Sequence, residues 1–226
     1  MSREYVQIDE EQFAAMAAAD ATGDLDPWRV IVAGVHAMFR LPTFTAAATF
    51  AASVASLADE RDHHPTLDVR HPGRVHISLT THATGGLTLD DVEVARAITR
   101  LAVAAGAESE PTRSQAVEFA IDTLDADRIR PFWKAVLGYV DRQGSLHDPL
   151  GVGPSMWFQD LDVARPQRNR IHLDVIVPHD EARARIDAAL AAGGTMVTDR
   201  FARSWWVLAD ADGNEACVCT WQDRHD

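Results

Sequence analysis

The sequence predicts an α+β protein of two domains, an α/β sandwich followed by a duplicated strand–helix–strands unit, and three observations carry that prediction. Residues 1–107 alternate helical and strand-like patterns. The stretch "GAESEPTRSQ" then breaks them with small, charged and proline residues, which places a boundary between Glu108 and Ser114. Residues 115–226 carry one strand–helix–strands plan twice over, and each copy presents an apolar sheet face that the other can cover.

The elements of the first half follow in order. "IDEEQFAAMAAAD" is a short helix, with Asp9 as N-cap and Gln12 three residues on. "WRVIVAGVHAMFRL" is rich in β-branched residues and reads as a strand or hairpin, with Gly34 as a bulge. "TFTAAATFAASVASLADERD" spaces Phe44, Ala47, Ala51, Val54 and Ala58 along one helical face. Thr43 or Thr45 caps that helix, and Pro65 prevents its continuation. "TLDVRHPGRVHISLTT" gives two strands joined at "HPGR", with Val75, Ile77 and Leu79 alternating against His76, Ser78 and Thr80. Thr88 opens a second long helix, with Asp91 at the capping-box position and Val92, Ala95, Ile98 and Ala102 on the buried stripe.

In the second half, "VEFAIDTLDADRIRPFWKAVLGY" and "IHLDVIVPHDEARARIDAALAAGG" share one plan. Aligning Glu118 with His172 sets Phe132 against Ile186 and ends both helices at glycine. Short strands follow each: "GPSMWFQD" in the first copy, "SWWVLAD" and "EACVCTW" in the second.

Composition narrows the function classes. The 226 residues are 46% hydrophobic and 24% charged, enough for a substantial core. A net charge of -13, with no lysine or arginine run to offset it, argues against nucleic-acid and anionic-membrane partners. The charged start "MSREYVQIDEEQF" has no apolar signal core, and no apolar run would span a bilayer. Cys217 and Cys219 lie two apart on one strand face, a strained geometry for a disulfide, so reduced thiols and a cytoplasmic location are expected.

The chemistry concentrates at "DERDHHP" and "LTTHATGGLT". Histidine donates or accepts a proton near neutral pH, so His63, His64 and His82 could supply both an acid and a base. Such a set suits removal of a hydroxyl and a proton from neighbouring atoms. An adjacent histidine pair at a helix end is also a common solvent-facing cap, but His82 follows a half-polar strand, and "TGG" beyond it lets backbone approach a ligand.

"DERDHHP" followed by "VHISLTTHATGGLTLDDVEVARAI" resembles the pterin-4a-carbinolamine dehydratases, from about Trp28 to Ala102. The resemblance implies dehydration of 4a-hydroxytetrahydropterin to the quinonoid dihydropterin with no metal or redox cofactor. It implies His63, His64 and His82 as catalytic residues, with Asp62, Thr81, Thr84 and Asp91 as substrate contacts. It further implies a small-molecule pterin partner and a homo-oligomer. On its residues alone, Asp91 is a helix cap. The chain departs from the family in "VRHPG", where Arg70 or His71 stands in place of an aromatic residue.

The second half resembles the glyoxalase, bleomycin-resistance and dioxygenase superfamily, also called vicinal oxygen chelate proteins, through "FWKAVLGY" and "LADADGNEACV". The resemblance implies a paired βαβββ glyoxalase-like domain, whose members often hold a divalent metal on their first, fourth, fifth and eighth strands. Carried over position by position, that set is Glu118, Gln159, His172 and Cys217. A neutral glutamine is a weak donor, and the expectation is a cup without tightly held metal. Trp157, Trp205 and Trp206 are candidates for an aromatic lining.

Overall fold

The computed structural model describes residues 4–127, 129–130, 139–163, 171–191, 194–209 and 215–224. The chain divides into two compact units, Met1–Ser114 and Gln115–Asp226. Among the described residues no helix is long and apolar enough to cross a membrane.

The first unit is an antiparallel sheet with helices on one face. Its strands are β2 (Arg29–Ile31), β3 (Gly34–Arg40), β4 (Thr66–Arg70) and β5 (Arg74–Leu79), in the order β2-β3-β5-β4. Val35, Ala37, Phe39, Val75, Ile77 and Leu79 are buried on the helix-facing side. The helices are α1 (Glu10–Ala18), α2 (Phe44–Arg61) and α3 (Leu89–Ala104). Trp28, Phe39 and Phe50 form an edge-to-face series with centroids 6.5 and 5.6 Å apart. The Trp28 indole N–H, which needs a partner when buried, donates to Thr99 Oγ1 at 3.0 Å. A two-stranded ribbon pairs β1 (Gln7–Ile8) with β6 (Leu87–Thr88).

Several local expectations are met in detail. Asp9 and Gln12 close a capping box on α1, and Thr88 and Asp91 close one on α3. Thr43 rather than Thr45 caps α2. Three differences have physical reasons. Phe44 is exposed because it occupies the first helical position, one turn ahead of Ala47, and Phe50 enters the core instead. Gly34 is not a bulge: β2 and β3 form a regular hairpin through Val32 and Ala33, with Ile31 opposite Gly34. A Cβ on Gly34 would lie 3.0 Å from the Leu79 carbonyl oxygen, so glycine answers a close approach of β5.

The third difference concerns the expected boundary. β7 (Glu108–Ser109) pairs with the end of β3, and the Glu110 N–H donates to Met38 O at 2.7 Å. Glu110 also accepts two hydrogen bonds from Arg74, at 2.6 and 3.0 Å. Residues 108–110 are therefore part of the first unit's sheet.

The second unit is an eight-stranded sheet made of two 1-4-3-2 halves. The first half holds β8 (Ala116–Thr123), β9 (Val140–Arg142), β10 (Ser145–His147) and β11 (Ser155–Asp160). The second holds β12 (Ile171–Ile176), α4 (Ala182–Ala191), β13 (Thr195–Thr198), β14 (Trp205–Ala209) and β15 (Glu215–Cys219). Strand order is β13-β14-β15-β12-β8-β11-β10-β9. β8 pairs with β11 in parallel, β12 with β15 in parallel, and β8 with β12 antiparallel. The pairs Glu118↔Asp174 and Ala120↔His172 interchange under the repeat that equates 118 with 172, so the sequence duplication is a two-fold relation about the β8–β12 seam. Val177, Ala182, Ile186, Leu208 and Val218 pack α4 against one face. Phe132 and most of "FWKAVLGY", with Asp210–Asn214 of the second signature, lie outside the described residues.

Candidate active site

The histidine pair sits where α2 ends. Asp62 adopts a left-handed conformation at φ 50°, which aspartate tolerates better than most residues. Its N–H bonds to Asp59 O and the His63 N–H reaches Ala58 O, a double bond pattern that satisfies the last carbonyls of the helix. The reversal turns His63 inward, where it is buried, and leaves His64 exposed beside Asp59 at 3.1 Å.

His63 meets the start of α3. Its Nε2 lies 2.8 Å from Asp91 Oδ1. Asp91 has no exposed surface, and its Oδ2 accepts the Thr81 hydroxyl and the Thr88 N–H, both at 2.8 Å. The Thr88 hydroxyl lies 2.7 Å from Thr81 Oγ1, which is already donating to Asp91, so Thr88 is the donor there. Every partner of the carboxylate is thus a donor. His63 must donate from Nε2, which fixes its neutral tautomer and leaves Nδ1 as the ring's acceptor.

His82 lies one residue beyond Thr81, at the exposed tip of a loop closed by the Thr81–Gly86 bridge. Thr84 bonds inward, its hydroxyl donating to Thr81 O at 3.1 Å. One carboxylate therefore anchors both histidine segments, His63 directly and His82 through its neighbour. The opposite face of the first unit's sheet carries a further histidine pair. His36 Nδ1 and His76 Nε2 are 3.1 Å apart with stacked rings. Burial, then the neighbouring His76, lowers the His36 pKa to about 3. Burial and then Arg70 lower that of His76, with Asp68 opposing.

In the second unit, side chains opposite the helix-packed face form a polar group on the central strands. His172, Asp174 and Cys217 offer ligand atoms that all lie within 4.8 Å of one another. His172 Nε2 is 3.6 Å from Asp174 Oδ1, and its Nδ1 is 3.4 Å from Asp122 Oδ1. Trp157 meets the His172 ring edge-on at 5.9 Å. Burial pushes Glu118 above the usual carboxylate range, Arg224 opposes the shift, and Asp174 adds to it. A hydrogen bond to Cys217 and burial hold the Cys219 thiol far on the protonated side. Both cysteines are free.

Comparison with known proteins places both halves. Residues 9–101 match the family described as pterin 4 alpha carbinolamine dehydratase, and residues 118–219 match the glyoxalase-like domain. A Roseiflexus sp. (strain RS-1) protein named "Putative pterin-4-alpha-carbinolamine dehydratase" is 42% identical over 76 residues, covering 34% of this chain and 81% of its own. This chain belongs to the pterin-4-alpha-carbinolamine dehydratase family. A protein of the same name from Chloroflexus aggregans (strain MD-66 / DSM 9485) is 52% identical over 60 residues, which cover 26% of this chain and 63% of that one. A solved structure titled as a transcriptional coactivator/pterin dehydratase from Brucella melitensis aligns over 42% of this chain and 98% of its own, with 28% identity and a TM-score of 0.38.

Within the dehydratase domain, the structure joins His63 to Asp91, Thr81 and Thr88 and leaves Asp62, His64 and His82 on the surface. Thr88, a helix cap by its sequence context, is also a member of this network. Its backbone N–H gives the capping bond, and its hydroxyl completes the network. Arg70, which with His71 is one of the two candidates for the position of the family's aromatic residue, ends β4 and pairs with Asp68.

In the glyoxalase-like domain, His172 and Cys217 of the four carried-over positions come together, and Gln159 lies further along the sheet. Gln159 is exposed and stands opposite Asp122, four residues along β8 from Glu118. At about 3.3 Å per residue that is about 13 Å. Asp174, absent from that set, is the register partner of both Glu118 and Cys217. Its signal was present in the sequence as the spacing His172–Asp174, two residues apart and so on one strand face.

Proposed function

We propose that the dehydratase domain removes water from 4a-hydroxytetrahydropterin at an acid-base and pterin-binding site made by His63, His64 and His82. The buried Asp91–His63 bond carries this reading, because it fixes which ring nitrogen can accept a proton. Dehydration breaks the C4a–O bond, removes the proton on the adjacent N5, and forms the C4a=N5 double bond and water. His63 Nδ1 takes the N5 proton, and Asp91 stabilises the imidazolium that results. His82, exposed on its loop, donates the proton that leaves with the hydroxyl, and exposed His64 holds the pterin. Asp91 and Thr81 act as positioning residues, since neither side chain presents surface to a substrate.

The test is dehydration of freshly generated 4a-hydroxytetrahydropterin by His63→Ala and His82→Ala. Removing a general acid or base costs about a hundredfold or more, and a loss of that size is expected in each variant with the fold retained. Near-wild-type rates in both would reject the assignment.

A further inference from the structure

The glyoxalase-like domain carries a group that the dehydratase reading does not use. We propose that His172, Asp174 and Cys217 bind one zinc ion, with an open position for water or another oxygen donor. Among the described residues these three form the one group of histidine, cysteine and carboxylate ligand atoms gathered this closely.

The charges around Asp174 argue for a cation. Asp174 is 5% exposed and Cys217 is 7% exposed. Glu118 stands directly across from Asp174 on β8. Like charges directly opposite on neighbouring strands oppose each other, and buried charges are found paired or bound to metal. A divalent ion between Asp174, His172 and Cys217 would be held by the buried Asp174 carboxylate.

The donor types select the metal. Zinc accepts imidazole nitrogen, carboxylate oxygen and thiolate sulfur together, with bonds of about 2.0 to 2.3 Å. Tetrahedral ligands at those lengths are about 3.5 Å apart, so the atoms, all within 4.8 Å of one another, need close by only about an ångström. His172 is oriented for the purpose: Nε2 faces Asp174, and Nδ1 faces Asp122, the carboxylate that a metal-bound histidine commonly leans on. Binding converts the Cys217 thiol to thiolate and releases its proton to solvent. Three protein ligands are the pattern of a zinc site that keeps its fourth position open.

The repeat explains why the site is one-sided. Ala120 is the two-fold counterpart of Asp174, and Trp157 stands opposite Ala120 as Cys217 stands opposite Asp174. At these two positions one half of the sheet supplies Asp174 and Cys217 as ligands, and the other supplies Ala120 and Trp157.

The experiment strips the full-length protein with a chelator and reloads it with zinc or cobalt(II). One equivalent of zinc per chain is expected, with about one proton released, and cobalt should show a thiolate-to-metal charge-transfer band. That band should vanish in Cys217→Ser, and Asp174→Asn should weaken zinc binding about ten- to hundredfold. Gln159→Ala should bind as the wild type does. No charge-transfer band in the wild type at saturating cobalt would overturn the proposal, whatever the variants do. So would Gln159→Ala weakening zinc as much as Asp174→Asn, which would restore the superfamily's own set. Metal-free melting curves show whether each variant is folded, and the wild-type cobalt spectrum decides the case if one is not.

Discussion

Replacing Asp91 by asparagine tests the dehydratase site at its anchor. The Asp91 Oδ2 accepts two hydrogen bonds, one from the Thr88 N–H, a donor that cannot reverse. The amide oxygen of Asn must therefore stay on that side, which turns the NH2 toward His63 Nε2. Two donors then face each other at the 2.8 Å position, unless His63 moves its proton to Nδ1. That shift would consume the ring's acceptor. The cap survives, so stability should fall only by the loss of charge-assisted character, about 1 to 1.5 kcal/mol for each bond affected. Activity should fall far more. The same wrong-tautomer substitution in a serine protease triad costs about 10⁴ in rate, and a hundredfold to ten-thousandfold loss is expected here. Urea denaturation measures the first quantity, and stopped-flow dehydration the second. Nitrogen-15 NMR of the imidazole reports the tautomer, which a merely structural role for Asp91 would not change. Wild-type turnover with the His63 proton still on Nε2 would refute the reasoning.

Two other expectations come from the same domain. A fragment of residues 1–114 should fold alone, whereas one ending at 107 loses β7 and the Glu110 bonds to Arg74 and Met38. The shorter fragment should be less stable by about 1 to 3 kcal/mol in urea, and equal midpoints would show that β7 contributes nothing. Stability should also fall with acidity through His36 and His76. Their folded pKa values lie below the ordinary 6.5, so the unfolded chain binds more protons there. The contribution is whole above pH 6.5 and declines as pH falls toward about 3 for His36, at no more than about 1.4 kcal/mol per pH unit per histidine. His36→Phe should flatten the fall between pH 6.5 and 5, and an unchanged slope would remove His36 from the account.

Features that depend on a few neighbouring residues were legible in the sequence. Asp9 with Gln12 and Thr88 with Asp91 are capping pairs three apart, and the structure closes both. The alternation Val75, Ile77, Leu79 gave the buried face of β5 because a strand has a period of two. Contacts between distant segments were not legible. His36 and His76 are 40 residues apart and carry no joint pattern. Glu108–Ser109 looked like linker because its sequence is polar, yet an edge strand needs only backbone donors and acceptors to pair with β3. Asp91 read as a cap and is one, but its second oxygen is what reaches His63.

The glyoxalase-like half shows a different limit. A template of one ligand per strand leads to Glu118, Gln159, His172 and Cys217, and the duplication makes the first and third of these equivalent. Equivalence is not adjacency. Across an antiparallel seam a residue faces its partner's neighbour: Glu118 stands opposite Asp174, and His172 opposite Ala120. The residues that meet are set by sums of positions along the seam rather than by the offset of the repeat. Once the register of β8 against β12 is known, Asp174 follows as the residue across from Glu118. The parallel pairing of β12 with β15 then puts Cys217 on its other side. Glu118, Asp174 and Cys217 therefore form a row across three strands, with His172 one step along β12. Any change that slid β12 by one residue would turn His172 and Asp174 toward α4 and abolish the row without altering a single ligand.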